Sequence, residues 1–418
     1  MSKILLISHI FPPAIDGGSR VIYKIGQYFE SQNHQTLYLS SNCSSTDDFT
    51  KSNKIPCPVK GRVKEGFYLP VYHRLRRPFK FINLFLPKNS YLHNLLKVFQ
   101  KGPIFKLIPF ISTTIKIIKF KPDLIIAGPL PTTIIVYANF LKKVTNLYNR
   151  IVNSSFFCRL LINSSFHQTD QDFFQKPLIK TLQQADYLWT LTQYETDFFI
   201  KKLNINPQKI ILAGNGIDSD FLIKEKKITP CPVKGRVGEG FCLLFIGSLS
   251  AHKGLKILIK SFSTIYNLQL TKLILAGQKT LYYPEILKTI KQQPQEVQKN
   301  IKFIFNFPQK KLKQLIDSCD ILILPSNQES FGLVLIEAWS RQKPVITTDI
   351  PPLKEIITRS KGGLIFESNN INDLSSKINQ LLNSPQKRHQ LGQNGFNYVK
   401  NNYTWSIVGK KIFQKILL

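Results

Sequence analysis

Two glutamates eight residues apart form the most specific local pattern in this chain. They lie in "SNQESFGLVLIEAWSRQKPVI" (326–346), with Glu329 just after an apolar run and Glu337 inside a helix-period stretch. The pattern predicts a strand, a loop holding Glu329, Ser330 as the cap, and a helix beginning at Phe331. The amides of Phe331, Gly332 and Leu333 would then emerge at a helix N-terminus, where unpaired N–H groups and the helix dipole favour an anion. Gly332 would leave room for a diphosphate to approach the backbone. Glu337, two turns along, offers a carboxylate that can accept both hydroxyls of a ribose. Spacing alone favours plainer uses: Glu329 as a first-turn acid that complements the dipole, and Glu337 on a solvated face.

Other residues with chemical potential are less specific. "GSLSAHKG" (247–254) contains Gly247 and Lys253, but Gly254 follows the lysine instead of preceding it, so the segment is not a P-loop. Gly17 and Gly18 come after the first apolar run and would let the backbone approach a phosphate or sugar, although a bare Gly-Gly turn fits equally well. His9 and His167 are isolated histidines, for which a structural use is the default. The six cysteines show no CxxC pair and no zinc-ligand spacing, which predicts reduced, intracellular thiols.

These residues need elements to hold them. Short apolar runs bounded by Gly, Pro or Asp alternate with helix-period segments, which predicts a parallel α/β fold. In the first half, "KILLISHIF" (3–11), "QTLYLSS", "PDLIIAG" (122–128) and "ADYLWTL" read as strands, and Val21, Ile22, Ile25 and Phe29 mark one face of a helix. A Lys-rich passage with little periodicity follows, and then the alternation restarts at "CLLFIGSL" (242–249). The expected organisation is two doubly wound domains facing across a cleft: residues 1–218, a linker 219–241, and residues 242–403. A last helix, 404–418, would cross back to the first domain. Ligands would bind at the carboxyl ends of the strands.

Six segments, in order along nearly the whole chain, resemble the retaining GT-B glycosyltransferases of the glycosyltransferase family 4 type. Glu329 to Glu337 is similar to that family's E-x7-E motif. "ILLISHIFPPAIDGGSRVIYKIGQYFESQNHQTLYLS" resembles its opening strand, Gly-Gly loop and first helix. "ADYLWTLTQYETDFF" with "GNGID", "LLFIGSLSAHKGLKILIKSF" and "KPVITTDIPPLKEII" resemble its later segments. The resemblance implies a GT-B architecture of two Rossmann-like domains and transfer of a sugar from a UDP- or GDP-sugar. It implies that Glu329 meets the donor sugar, that Glu337 meets the ribose, and that the amides at 331–333 and Lys253 hold the diphosphate. It also implies that His167 lies near the reacting centre. No obligatory metal or other cofactor is implied, since amides and Lys253 can meet the leaving-group charge. The Asp170-x-Asp172 pair is set aside: it looks like the metal motif of the other glycosyltransferase fold, which two α/β halves do not fit. The chain departs from the family at Ser248, where an arginine is usual. That departure implies weakened or adjusted donor binding.

The formal charge is +32, from 57 basic and 25 acidic residues, which predicts attraction to polyanions. Nucleic-acid binding would call for Arg or aromatic recognition motifs, and none is visible, so no nucleic-acid partner is expected. Residues 73–120 are basic and apolar-aromatic with no Asp or Glu. They could lie on an anionic membrane surface or form a helical layer over the first sheet. No apolar run reaches membrane-spanning length. The expected location is therefore cytoplasmic, peripheral at the inner membrane face. The expected acceptor is a cell-envelope glycan or a lipid-linked sugar. A weakened homologue serving as a partner subunit is the alternative raised by Ser248. The near-identical copies "PCPVKGRVKEGF" (56–67) and "PCPVKGRVGEGF" (230–241) coincide with none of the family-like motifs. Their Pro-Cys-Pro openings disfavour helix and central strand, so both are expected to be surface insertions.

Overall fold

The computed structural model describes residues 1–8, 17–41, 66–69, 107–130, 134–166, 174, 176–223 and 240–417. They divide into two compact units. The first is Met1–Leu191, Glu195–Ala213 and Gly409–Leu418; the second is Thr192–Tyr194 and Gly214–Val408.

The first half of the chain runs β1 (Lys3–Ile7), α1 (Gly17–Ser31), β2 (Gln35–Ser41), β3 (Gly66–Leu69), α2 (Leu107–Phe120), β4 (Leu124–Ala127), α3 (Ile134–Ile151), β5 (Arg159–Asn163), α4 (Lys176–Gln184), β6 (Tyr187–Thr190), α5 (Gln193–Leu203) and β7 (Ile210–Leu212). Its seven strands are ordered 3-2-1-4-5-6-7, and every neighbouring pair is parallel. Strands β1 and β4 are buried along nearly their whole length, as a parallel sheet with both faces covered requires. The helical period read in α1 is also met: Val21, Ile22, Ile25 and Phe29 are all buried.

The second half runs β8 (Phe241–Ile246), α6 (Leu255–Phe262), β9 (Thr271–Gly277), α7 (Tyr283–Lys291), α8 (Gln295–Asn300), β10 (Ile301–Phe305), α9 (Gln309–Asp317), β11 (Ile321–Leu324), α10 (Leu333–Trp339), β12 (Val345–Thr348), α11 (Pro351–Ser360), β13 (Gly363–Phe366), α12 (Ile371–Leu382), α13 (Pro385–Asn402) and α14 (Trp405–Leu417). Its six strands are ordered 10-9-8-11-12-13, again all parallel. The direction of strand order reverses between β1 and β4 in one sheet and between β8 and β11 in the other. These are the switch points outside which ligands bind in open α/β sheets. The two parallel α/β sheets confirm the fold class expected from sequence.

Two elements change earlier expectations. Of residues 73–120, Leu107–Phe120 is helix α2. It puts Ile117 into the core, beside a cluster containing Ile125 and Leu160, and leaves Ile115, Lys116 and Lys119 outward. This stretch is a helical layer on the first sheet; residues 73–106 lie outside the described residues. Strand β3 was not expected. It begins at Gly66-Phe67, the last two residues of the first repeat copy, and pairs with the edge of β2. The same Gly-Phe in the second copy leads into β8, which opens at Phe241. Residues 56–65 and 230–239 lie outside the described residues.

Candidate functional site

The second sheet's switch point gathers the chain's charged candidates. After β8 the backbone passes Gly247 and a 3-10 turn, Ala251–Lys253, which ends on Gly254 in the left-handed region (φ 67°). Gly254 is required there twice over. Its φ disfavours a side chain, and a Cβ would overlap the carbonyl oxygen of Pro325 just after β11. This close approach fastens the loop after β8 to the loop after β11. Asn327 N–H donating to the His252 carbonyl at 2.8 Å adds a second tie.

On this frame Lys253 donates to Oε1 of Glu329, forming an ion pair with both side chains largely sheltered. Ser326 Oγ donates to the same oxygen at 3.1 Å. Ser326 is itself held, its carbonyl accepting from Thr348 Oγ1 at 2.6 Å at the end of β12. Glu329 is therefore fixed by a lysine and a hydroxyl from its own unit, and does not act as a simple first-turn acid. The position a Gly247 Cβ would take lies 3.9 Å from Lys253 Cε, so the glycine borders the lysine stem. Ser248, Ser250 and His252 form a polar chain alongside: the two hydroxyl oxygens are 3.1 Å apart, and Ser250 Oγ is 3.3 Å from His252 Nδ1.

The helix beyond Glu329 starts later than its sequence suggests. α10 begins at Leu333, with Gly332 as its cap at φ 76° and no side-chain cap bond, so Ser330 and Phe331 remain in the loop. Gly332 and Phe331 account for the shift. Gly332 can take the left-handed turn, and a Cβ there would crowd Leu353, Leu335 and Leu324. The Phe331 ring is buried edge-on against Tyr403, at 5.2 Å between centroids. Burying that ring before the helix begins carries the chain past the β11 terminus. Glu337 is only 5% exposed, which excludes the solvated-face reading.

At the first unit's switch point, Gly18 lies in the first turn of α1, where a Cβ would overlap the ring of Pro129 after β4. The glycine thus allows helix and strand end to meet closely, and Gly17 opens the same helix. At the end of β5 the Asn163 side chain is fully buried. Its Oδ1 accepts from Ser165 Oγ at 2.9 Å, while its Nδ2 has no partner among the described residues. His9, His167, Asp170 and Asp172 lie outside the described residues. The segment leading to His167 is anchored by Glu195, whose carboxylate accepts from Phe166 N–H (2.8 Å) and Leu191 N–H (2.6 Å). Sequence reasoning passed over Glu195, although Thr192-x-x-Glu195 has capping-box spacing at the start of α5 and would have flagged it. It also passed over the His252 and Ser250 pair, for which no pattern gave a signal. Among the described residues no cluster of three or more His, Cys, Asp or Glu could hold a metal ion, and no helix is long and apolar enough to cross a membrane.

Comparison with known proteins is consistent with this geometry. A glycosyltransferase of Methanocaldococcus jannaschii, itself uncharacterized, is 30% identical over 254 residues, covering 57% of this chain and 69% of that protein. The family model for glycosyl transferases group 1 matches residues 232–398, the span that contains Lys253, Glu329 and Glu337. The chain belongs to the glycosyl transferases group 1 family. This group 1 transferase is also 25% identical over 182 residues to a capsular polysaccharide biosynthesis glycosyltransferase of Staphylococcus aureus, covering 42% of the chain and 46% of the relative. In the second comparison, then, the match spans about half the relative's length. Its fold matches HepE of Anabaena, solved in complex with UDP and glucose, with a TM-score of 0.71 at 16% identity over the whole of both chains. The transferase therefore has the two-domain α/β GT-B fold.

Proposed function

We propose that the protein is a retaining glycosyltransferase of the family 4 type that moves a sugar from a UDP- or GDP-sugar to an acceptor hydroxyl. The observation that carries this reading is the Lys253–Glu329 pair held at the β8/β11 switch point. A lysine beside a carboxylate, next to a glycine-capped helix start, can receive both ends of a nucleotide sugar. Lys253 and the amides at 331–333 take the diphosphate, Glu329 takes the sugar hydroxyls, and the carboxylate of Glu337 takes the ribose.

In the transfer, the bond from the anomeric carbon to the diphosphate oxygen breaks and a bond to the acceptor oxygen forms on the same face. The acceptor proton passes to the departing phosphate oxygen. The negative charge that develops there is what Lys253 would stabilise, an effect worth about 3–4 kcal/mol for a well-placed donor. Lys253 must divide its charge between Glu329 and the phosphate, so donor arrival would reorganise the pair. His167, which lies outside the described residues, is the histidine we assign to the reaction on the strength of the family resemblance. No metal is needed in this scheme, because the positive charge comes from Lys253 and the amides.

A cell-envelope glycan or lipid-linked acceptor, used at the cytoplasmic face of the membrane, is supported by the likeness to a capsular polysaccharide transferase and by the basic excess of the chain. The competing role, a partner subunit that has lost donor binding, is motivated by Ser248. Titrating labelled UDP- and GDP-sugars against the wild type and Glu329→Ala separates the two. Saturable binding that is lost in the variant supports transfer; no binding to either protein supports the partner role.

A further inference from the structure

The strand-start edge of the first sheet, opposite the switch-point edge, has an inverted surface. Along the last two turns of α3 and the loop into β5, the large apolar side chains face solvent: Leu147 is 58% exposed, Ile151 71%, Phe156 59% and Phe157 54%, with Tyr148 and Val152 exposed beside them. Two asparagines of the same stretch turn inward instead, while Arg150, Asn153 and Ser155 are exposed with the apolar groups. Asn149 Nδ2 donates to the Phe156 carbonyl at 3.1 Å. Asn146 bonds both ways with Cys158, accepting from its N–H at 2.7 Å and donating to its carbonyl at 3.0 Å. Ser154 N–H closes the turn on the Asn149 carbonyl at 2.8 Å. The two phenylalanines are therefore presented by a loop that asparagines pin to the helix, so their exposure is built in and does not result from fraying.

Charge indicates what covers this surface. Between Glu65 and Asp170 the only acidic residue is Asp123, and it accepts from Lys3 N–H at 2.8 Å. Asp186, at the start of β6, is bound by Leu160 N–H and paired with Lys142. Glu30, near the start of β2, accepts from Thr36 and Tyr38. Helices α2 and α3 both run back toward the strand starts, so their C-terminal cations, Lys119 and Arg150, lie along this same edge. The edge thus combines exposed aromatic and aliphatic groups with a basic rim and with acids that are already engaged. Those are the features of a surface that seats in the headgroup region of an anionic bilayer.

We propose that this corner of the first unit, residues 147–157, is a membrane-docking surface for anionic lipid, with Phe156, Phe157 and Ile151 as the inserted groups and Arg150 among the contacts to phosphate. The proposal stands apart from the sugar-transfer reading and from the basic segment at 73–106.

Co-flotation of the full chain with vesicles tests it directly. Wild type binds vesicles of phosphatidylcholine with a third phosphatidylglycerol and does not bind phosphatidylcholine alone. Ile151→Asn with Phe156→Ser and Phe157→Ser lowers the bound fraction at least tenfold, whereas Arg74→Ser with Arg76→Ser and Arg77→Ser does not. All three substituted side chains are exposed, so the thermal midpoint should be unchanged. If it does shift, the single variant Phe157→Trp serves instead, its emission moving to the blue only with anionic vesicles. Undiminished binding by the apolar triple variant, absence of wild-type binding, or a dimer that this variant splits would each overturn the proposal; the last would identify a second copy of the chain as the occupant.

Discussion

The two sheets share parallel strands and a single switch point, yet their carboxyl edges are equipped differently. At β8/β11 a charged pair, Lys253 and Glu329, is held in place by Ser326, with Thr348 tethering the serine. At β1/β4 and the adjoining end of β5, Gly18 lies against Pro129, Arg20 stands in the first turn of α1, and the carboxamide of Asn163 is buried. The buried carboxylate of the first unit, Glu195, holds backbone N–H groups. One edge carries a paired lysine and carboxylate, while the other closes a helix start against a strand end and buries a carboxamide. The difference can be tested residue by residue.

The largest effect should come from the charged edge. Lys253→Ala should lower transfer by about 10²-fold or more, roughly 3 kcal/mol of lost leaving-group stabilisation, while the thermal midpoint stays near wild type. An equal loss in stability would mean that the pair is structural.

Next in size, and opposite in character, is Glu195→Ala. Two backbone N–H groups lose their acceptor, at a cost of about 1–3 kcal/mol each. Denaturant melts should show this loss in the first unit, with nucleotide affinity unchanged.

Gly332→Ala should cost about 1–3 kcal/mol, because alanine must enter a left-handed turn among three leucines. It should also weaken the donor by displacing the start of α10. Stability and affinity falling together, measured on one protein sample, would support that coupling.

The smallest change should be a gain. Ser248→Arg adds the second cation that the family resemblance implies, and isothermal titration should show donor binding tighter by about 1 kcal/mol, severalfold in Kd.

Cysteine chemistry provides a separate check on packing in the first unit. Burial pushes the Cys158 thiol up to about 12, so at pH 8 it should resist alkylation until the chain unfolds.

How legible each part was in the sequence depended on whether a local signal existed. The strand and helix periods of β1, α1, β8 and β11 were plain because each element buries an uninterrupted run or one regular face. Strand β3 was hidden because four residues at a sheet edge gain their structure from pairing with β2, and the repeat copy that runs into it opens on Pro-Cys-Pro (56–58), which reads as loop. The start of α10 was misplaced by two residues. Ser330 looked like a good cap, but the burial of Phe331 against Tyr403 and the left-handed turn at Gly332 outweighed it. Lys253 and Glu329 were each noted from sequence. Their direct contact was not readable there, since it depends on Gly254 meeting the Pro325 carbonyl across two loops 71 residues apart in sequence. The inverted surface at 147–157 was equally hidden, because its apolar residues follow a normal helical period and only the fold shows which way they face.

The central claim is that the Lys253–Glu329 pair receives a nucleotide sugar, and equilibrium binding of UDP- and GDP-sugars to wild type and Glu329→Ala tests it most directly. The account predicts saturable binding of one donor by the wild type, weakened at least tenfold in the variant, with both proteins melting at similar temperatures. Equal donor affinity in the two proteins would contradict it.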